Sequence, residues 1–126
     1  MNKTKVIFAG ANRPLFYFTQ YNHELQSLKG DRKTIGGRPN EEENQTFTNN
    51  EFWLDTGDMI YLTSDGLADQ GNLVHEKFGT KKIRELLSQI ASLPLSEQNR
   101  LMEKQLALHQ QNAEQTDDIT ILGIQI

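Results

Sequence analysis

The sequence contains no cysteine, which excludes disulfide staples, thiolate zinc sites and a cysteine nucleophile. No stretch approaches the roughly 20 consecutive apolar residues that span a bilayer. Met1-Asn2-Lys3-Thr4 leads straight into an apolar run without a signal-peptide pattern. A cytoplasmic domain with no direct membrane insertion is therefore expected. Excess positive charge is missing as well: the formal net charge is −4, with acidic and basic residues interspersed. That argues against nucleic acid or an anionic membrane surface as the main partner. Apolar residues make up only 36% of the 126 positions, a low share but above that of a disordered chain. The length fits one domain with a modest core.

What is there begins with strands. Val6-Ile7-Phe8 is a β-branched and aromatic run stopped by Ala9-Gly10-Ala11-Asn12 and Pro14. Leu15 to Thr19 resumes the strand signal, and Tyr21-Asn22-His23 turns into a third short strand, Glu24 to Leu28. These three predict an antiparallel meander whose first strand has little chain before it, so a partner for it must come from elsewhere. Gly30 to Asn44 is a glycine- and charge-rich loop, followed by a strand from Phe47 to Leu54. After the Thr56-Gly57-Asp58 turn, Met59 to Thr63 is the strongest buried-strand candidate and runs directly into Ser64-Asp65-Gly66.

Two helices are predicted next. Ile83, Leu86, Leu87 and Ile90 share one face of the first, from about Thr80 to Ala91. Pro94 separates it from a second, which Ser96 could cap and in which Leu101, Met102, Leu106 and Leu108 give a looser apolar face. The chain closes on a strand from Ile119 to Ile126. Strands, two helices, then one more strand favour an α+β fold over an alternating α/β pattern.

Chemistry concentrates in two acidic loops. Asp65-Gly66 puts a carboxylate at the end of a buried strand, before a glycine that permits a tight turn. Hard cations such as Mg²⁺ and Mn²⁺ want oxygen ligands held on such a rigid edge. An isolated Asp-Gly is more often simply a turn. Asp117-Asp118 places two mutually repelling carboxylates before an apolar strand, a pair relieved by a cation or by solvent. The combination shifts the balance, because neighbouring strands in one sheet would bring both loops together. His23, His75 and His109 have no metal-ligand spacing, and Ser64 has no sequence-local base. Gly30, Gly36 and Gly37 form no phosphate-binding motif, and Phe16-Tyr17-Phe18 reads as the two faces of a strand rather than a base-stacking platform.

The string from Gly57 to Gln70, with Ser64-Asp65-Gly66-Leu67-Ala68-Asp69 at its centre, resembles the Asp-Gly strand and turn of the protein phosphatase 2C superfamily. The likeness is to its bacterial, sporulation-protein-E-like branch. Phe8 to Leu15 resembles the family's glycine–asparagine–proline hairpin, Ile35-Gly36 a family loop, Lys77-Phe78-Gly79 a helix start, and Gln115 to Thr120 the final metal motif. The matches cover nearly the whole chain in the right order.

The resemblance implies an antiparallel sheet structure with two helices on one face, part of a four-layer α-β-β-α sandwich. It implies hydrolysis of phosphoserine or phosphothreonine by water activated between two Mg²⁺ or Mn²⁺ ions. Asp65 and Asp117 would be direct metal ligands. Asp118 and Gly66 would support them, Asp58 and Asp69 would stabilise turns, and Asp69 is a lesser metal candidate. The family's earlier aspartate, before a glycine-histidine-glycine run, has no match here. Residues 1–126 are thus expected to be the C-terminal portion of such a domain, with weak or absent metal binding and little activity alone. The implied partners are a phosphoprotein substrate such as an anti-sigma-factor antagonist, an upstream sensor domain, and a second copy joined through the edge of the first strand. The alternative is a non-catalytic interaction module on a degenerate phosphatase fold.

Overall fold

A computed structural model describes residues 3–36 and 46–126. Its strands are β1 (Thr4–Phe8), β2 (Leu15–Thr19), β3 (Glu24–Leu28), β4 (Asn50–Leu54) and β5 (Met59–Thr63). The helices α1 (Asp65–Asp69), α2 (Gly79–Ile90) and α3 (Leu95–Gln110) follow, and β6 (Ile121–Gln125) ends the chain. The α+β class expected from the sequence is the one observed.

All six strands and the two longer helices fall where hydrophobic spacing puts them, and the differences have physical reasons. Pairing departs from a simple meander: β2 and β3 form an antiparallel hairpin, but β1 pairs with β4 in a separate two-stranded sheet. The other sheet has the order β3-β2-β5-β6, antiparallel throughout. Ser64-Asp65-Gly66 is not only a turn, since it opens the short helix α1. The second long helix starts at Leu95 after Pro94, whose fixed φ suits a helix start, and not at Ser96. β4 begins at Asn50 rather than Phe47, and β6 at Ile121 rather than Ile119. Residues 37–44 of the predicted loop lie outside the described residues.

Three layers result among the described residues. Period-2 alternation divides β2 and β5 cleanly. Phe16, Phe18, Met59 and Tyr61 face the helices, where they meet Leu67 of α1 and Ile83, Leu87 and Ile90 of α2. Leu15 and Ile60 face the opposite way and pack with Leu54 of β4. The core therefore has two compartments, one on each side of the four-stranded sheet. α3 contributes half-buried Leu101, Met102 and Leu106, whereas Leu108 lies off that face and is exposed.

One buried polar link fixes α3. The Tyr61 hydroxyl donates to Gln98 Oε1 at 2.6 Å, and Gln98 Nε2 donates to the carbonyls of Leu93 (2.8 Å) and Ala91 (3.3 Å). Burial pushes the Tyr61 hydroxyl well above its ordinary pKa of 10.0. The folded state therefore favours the neutral phenol. The associated stability is complete below pH 10 and is lost as pH rises through the elevated folded value. Tyr61→Phe is expected to lower the unfolding free energy by about 1–2 kcal/mol, because Gln98 Oε1 is left buried without a donor. Denaturant unfolding between pH 8 and 11 should show this loss, and the variant should lose less stability than the parent above pH 10.

At the opposite end of β5, Asp58 is buried and makes a turn. Its carboxylate accepts from the Gln20 amide (2.9 Å) and the Asp55 amide (2.8 Å), tying the end of β2 to the β4–β5 connection.

Candidate functional site

Asp65 and Asp117-Asp118 lie far apart in sequence, and the sheet brings them together. β5 and β6 are antiparallel neighbours with Thr63 opposite Ile121. The chain leaving β5 and the chain entering β6 therefore run side by side at one sheet end. Asp65, Asp117 and Asp118 are all exposed there.

The two loops are bonded to each other. The Ser64 amide donates to the Thr120 carbonyl at 2.9 Å. The Ser64 hydroxyl accepts from the Thr120 amide (3.0 Å) and donates to the Asp118 carbonyl (3.2 Å). This hydroxyl is committed on both sides, so Ser64 acts as a tie between the loops rather than as a nucleophile. Asp117 Oδ1 accepts from the Asp118 amide at 2.8 Å, and Gln115 Nε2 donates to the Asp117 carbonyl at 3.0 Å. The helix-opening Ser64 makes no side-chain cap, because its hydroxyl is spent across the loops.

Gly66 shows how tightly the loops are seated. A Cβ at this position would lie 2.1 Å from the Asp118 carbonyl oxygen and 2.9 Å from its carbon. Only a residue without a side chain permits that approach.

Arg13, in the connection between β1 and β2, reaches the same strand end. Its Nε donates to the Thr63 carbonyl (3.2 Å), and its Nη2 donates to Thr63 Oγ1 (3.0 Å) and the Ser64 carbonyl (3.2 Å). Sequence reading missed this residue. Fifty positions separate it from its partners, and no local pattern marks such a contact.

Asp69 is turned to other work. It pairs with Lys77 at 3.3 Å, next to the bridge between Gly71 and Lys77. Among the described residues, no three carboxylate or imidazole side chains converge as a metal-binding group. The donors present, hard carboxylate oxygens on a rigid edge, suit Mg²⁺ or Mn²⁺ in kind. A cavity of about 630 Å³ opens elsewhere, between α2, α3 and the turn at 72–74, with Phe78, Lys82 and His109 in its wall.

The family model described as stage II sporulation protein E matches residues 2–126. The SiaA PP2C domain of Pseudomonas aeruginosa is similar at 34% identity with a TM-score of 0.82, over 97% of this chain and 46% of that one. The PP2C phosphatase domain of SpoIIE from Bacillus subtilis, with a fragment of its regulatory domain, gives 17% identity and a TM-score of 0.68, over 98% and 34%. A manganese-presoaked structure of that phosphatase domain gives 15% and 0.60, over 98% and 50%. The latter two similarities concern the fold alone. The chain spans half or less of each of these structures. No curated protein matches it.

Proposed function

Because the chain belongs to the stage II sporulation protein E family of PP2C-type phosphatase domains, we propose that residues 1–126 form the C-terminal portion of a metal-dependent protein serine/threonine phosphatase domain. The complete domain would hydrolyse phosphoserine or phosphothreonine in bacterial signalling. The observation that carries this reading is the seating of the Asp65-Gly66 loop on the Asp117-Asp118 loop, with Gly66 against the Asp118 carbonyl.

Asp65 and Asp117 are the proposed metal ligands. Gly66 and Asp118 support them by fixing the spacing of the two loops, and Asp69, already paired with Lys77, is a lesser candidate. Paired Mg²⁺ or Mn²⁺ ions, when bound, activate a water and neutralise charge on the transferring phosphoryl group. The protein's own part is to hold carboxylate oxygens at the end of a rigid strand. Because these acids are exposed, the site is open to a phosphorylated side chain carried on a protein. A phosphorylated anti-sigma-factor antagonist is the proposed substrate class, with a sensor domain upstream. Self-association through the free edge of β1 is a further proposed contact, since β1 pairs on one side only among the described residues.

Two carboxylates leave most of an octahedral shell to water. Further ligands would come from the part of the domain outside this stretch. The 126-residue chain alone is therefore expected to bind metal weakly and to turn over little substrate. Phosphopeptide hydrolysis should be measured for this chain and for one extended upstream, with Mn²⁺ and after chelation. Turnover confined to the extended chain and abolished by chelation is expected. Metal-independent hydrolysis would reject the mechanism, and robust turnover by the 126 residues alone would reject the incomplete site. No helix among the described residues is long and apolar enough to cross a membrane.

A further inference from the structure

Arg13 occupies a place that the strand register makes awkward. β2 and β5 pair antiparallel, with Leu15 opposite Leu62 as the last pair. One further step places Pro14 opposite Thr63, and the next places Arg13 opposite Ser64. Proline has no amide hydrogen to give, so the ladder cannot continue through its backbone. The Thr63 carbonyl, two residues before Asp65, is thereby left without a ladder donor, and an unpaired carbonyl at a half-buried strand end is costly. The Arg13 guanidinium supplies the donors, bonding the Thr63 carbonyl, Thr63 Oγ1 and the Ser64 carbonyl.

We infer that Arg13 is a positioning residue for the acidic site: its planar fork replaces the ladder donor missing at Thr63, adds a bond to the Ser64 carbonyl at the start of α1, and fixes the peptide from which Asp65 leaves β5. This rests on the phosphatase reading only for its consequence, the placement of a metal ligand; the clamp itself stands on the contacts. The connection that carries Arg13 is itself anchored. The Asn12 amide donates to the Asp31 carbonyl and the Asp31 amide to the Gly10 carbonyl, each at 2.7 Å. Asn12 Nδ2 also donates to the Lys33 carbonyl at 3.1 Å. A guanidinium mounted on a braced loop holds its acceptors in one geometry, whereas a lysine ammonium is a single point charge and cannot reproduce a fork across two carbonyls and a hydroxyl.

Amide hydrogen exchange of the 126-residue chain, with Arg13→Gln and Arg13→Lys, tests this. Charge-assisted hydrogen bonds of this kind correspond to roughly a tenfold change in local opening. In Arg13→Gln, exchange at Leu67, Ala68 and Thr120 should quicken by about that factor, with the core amides of Ile83 to Leu87 unchanged. Arg13→Lys should recover only part of the protection. Uniform acceleration across the core, or none near Asp65, would overturn the clamp, as would full rescue by lysine. A parallel Mn²⁺ titration, read as paramagnetic broadening of the Gly66 and Asp118 amide signals, separates the two readings. If the parent chain shows no selective broadening, metal binding at these residues is in doubt while the exchange result still decides the clamp.

Discussion

Asp65→Ala, made in a chain long enough to hydrolyse a phosphopeptide, is expected to reduce metal-dependent turnover by about three orders of magnitude or more. A direct ligand to a catalytic ion contributes several kcal/mol to transition-state stabilisation, and each ~1.4 kcal/mol is tenfold in rate. The same change should leave folding stability within about 1 kcal/mol of the parent, because Asp65 is exposed and surface substitutions are usually small. Two opposed terms operate there. An acid in the first turn of α1 favours the helix N-terminus, and removing one of three neighbouring acids relieves repulsion. The signature is thus lost turnover without lost stability, measured by phosphopeptide kinetics beside urea unfolding. Unchanged metal-dependent kinetics would remove Asp65 from the metal site, and a large stability loss would recast it as structural.

Much of the architecture was legible because it depends on local periodicity. Met59 to Thr63 announces a buried strand by composition, and Ile83, Leu87 and Ile90 announce a helix face by spacing; both are buried as that spacing requires. The juxtaposition of the acidic loops followed from a single assumption, that the strands beside them are neighbours, and β5 and β6 are. What stayed hidden depends on distant partners. β1 pairs with β4 because Val6 and Phe8 share the second core compartment with Phe52 and Leu54, and no window of sequence contains both strands. Helix α1 spans only Asp65–Asp69, too short for a periodic signal. Arg13 and Ser64 are polar residues in connections, and their significance comes from carbonyls more than fifty positions away. The order of the family-like motifs, not any one of them, linked these pieces.

Gly66→Ala provides the sharpest test of how the two loops fit. In a helix, alanine is ordinarily more favourable than glycine by up to about 1 kcal/mol, and Gly66 is not among the residues held at positive φ. Backbone preference alone therefore predicts a gain. The contact predicts the reverse, since the new Cβ would sit 2.1 Å from the Asp118 carbonyl oxygen and 3.3 Å from Ile119 Cγ1. The obstacle is main chain, and it cannot swing away as a flexible side chain could. The Asp118 carbonyl accepts from Ser64 Oγ, while its amide is held by Asp117 Oδ1. Relief requires the two loops to separate, breaking the Ser64 tie and moving Asp117 relative to Asp65. Overpacking of this kind costs about 1–3 kcal/mol, and more where backbone is the obstacle. A net loss of about 2 kcal/mol is expected after the helix preference is subtracted. Urea unfolding of the 126-residue chain should show it, with amide shifts concentrated at Ser64 to Leu67 and Asp117 to Thr120. In a longer, active chain the same substitution should lower turnover although no carboxylate has been removed. A variant as stable as the parent, with unmoved resonances in the 117–120 segment, would show that the loops are not seated on each other and would remove the structural basis for assigning Asp65 and Asp117 to one site.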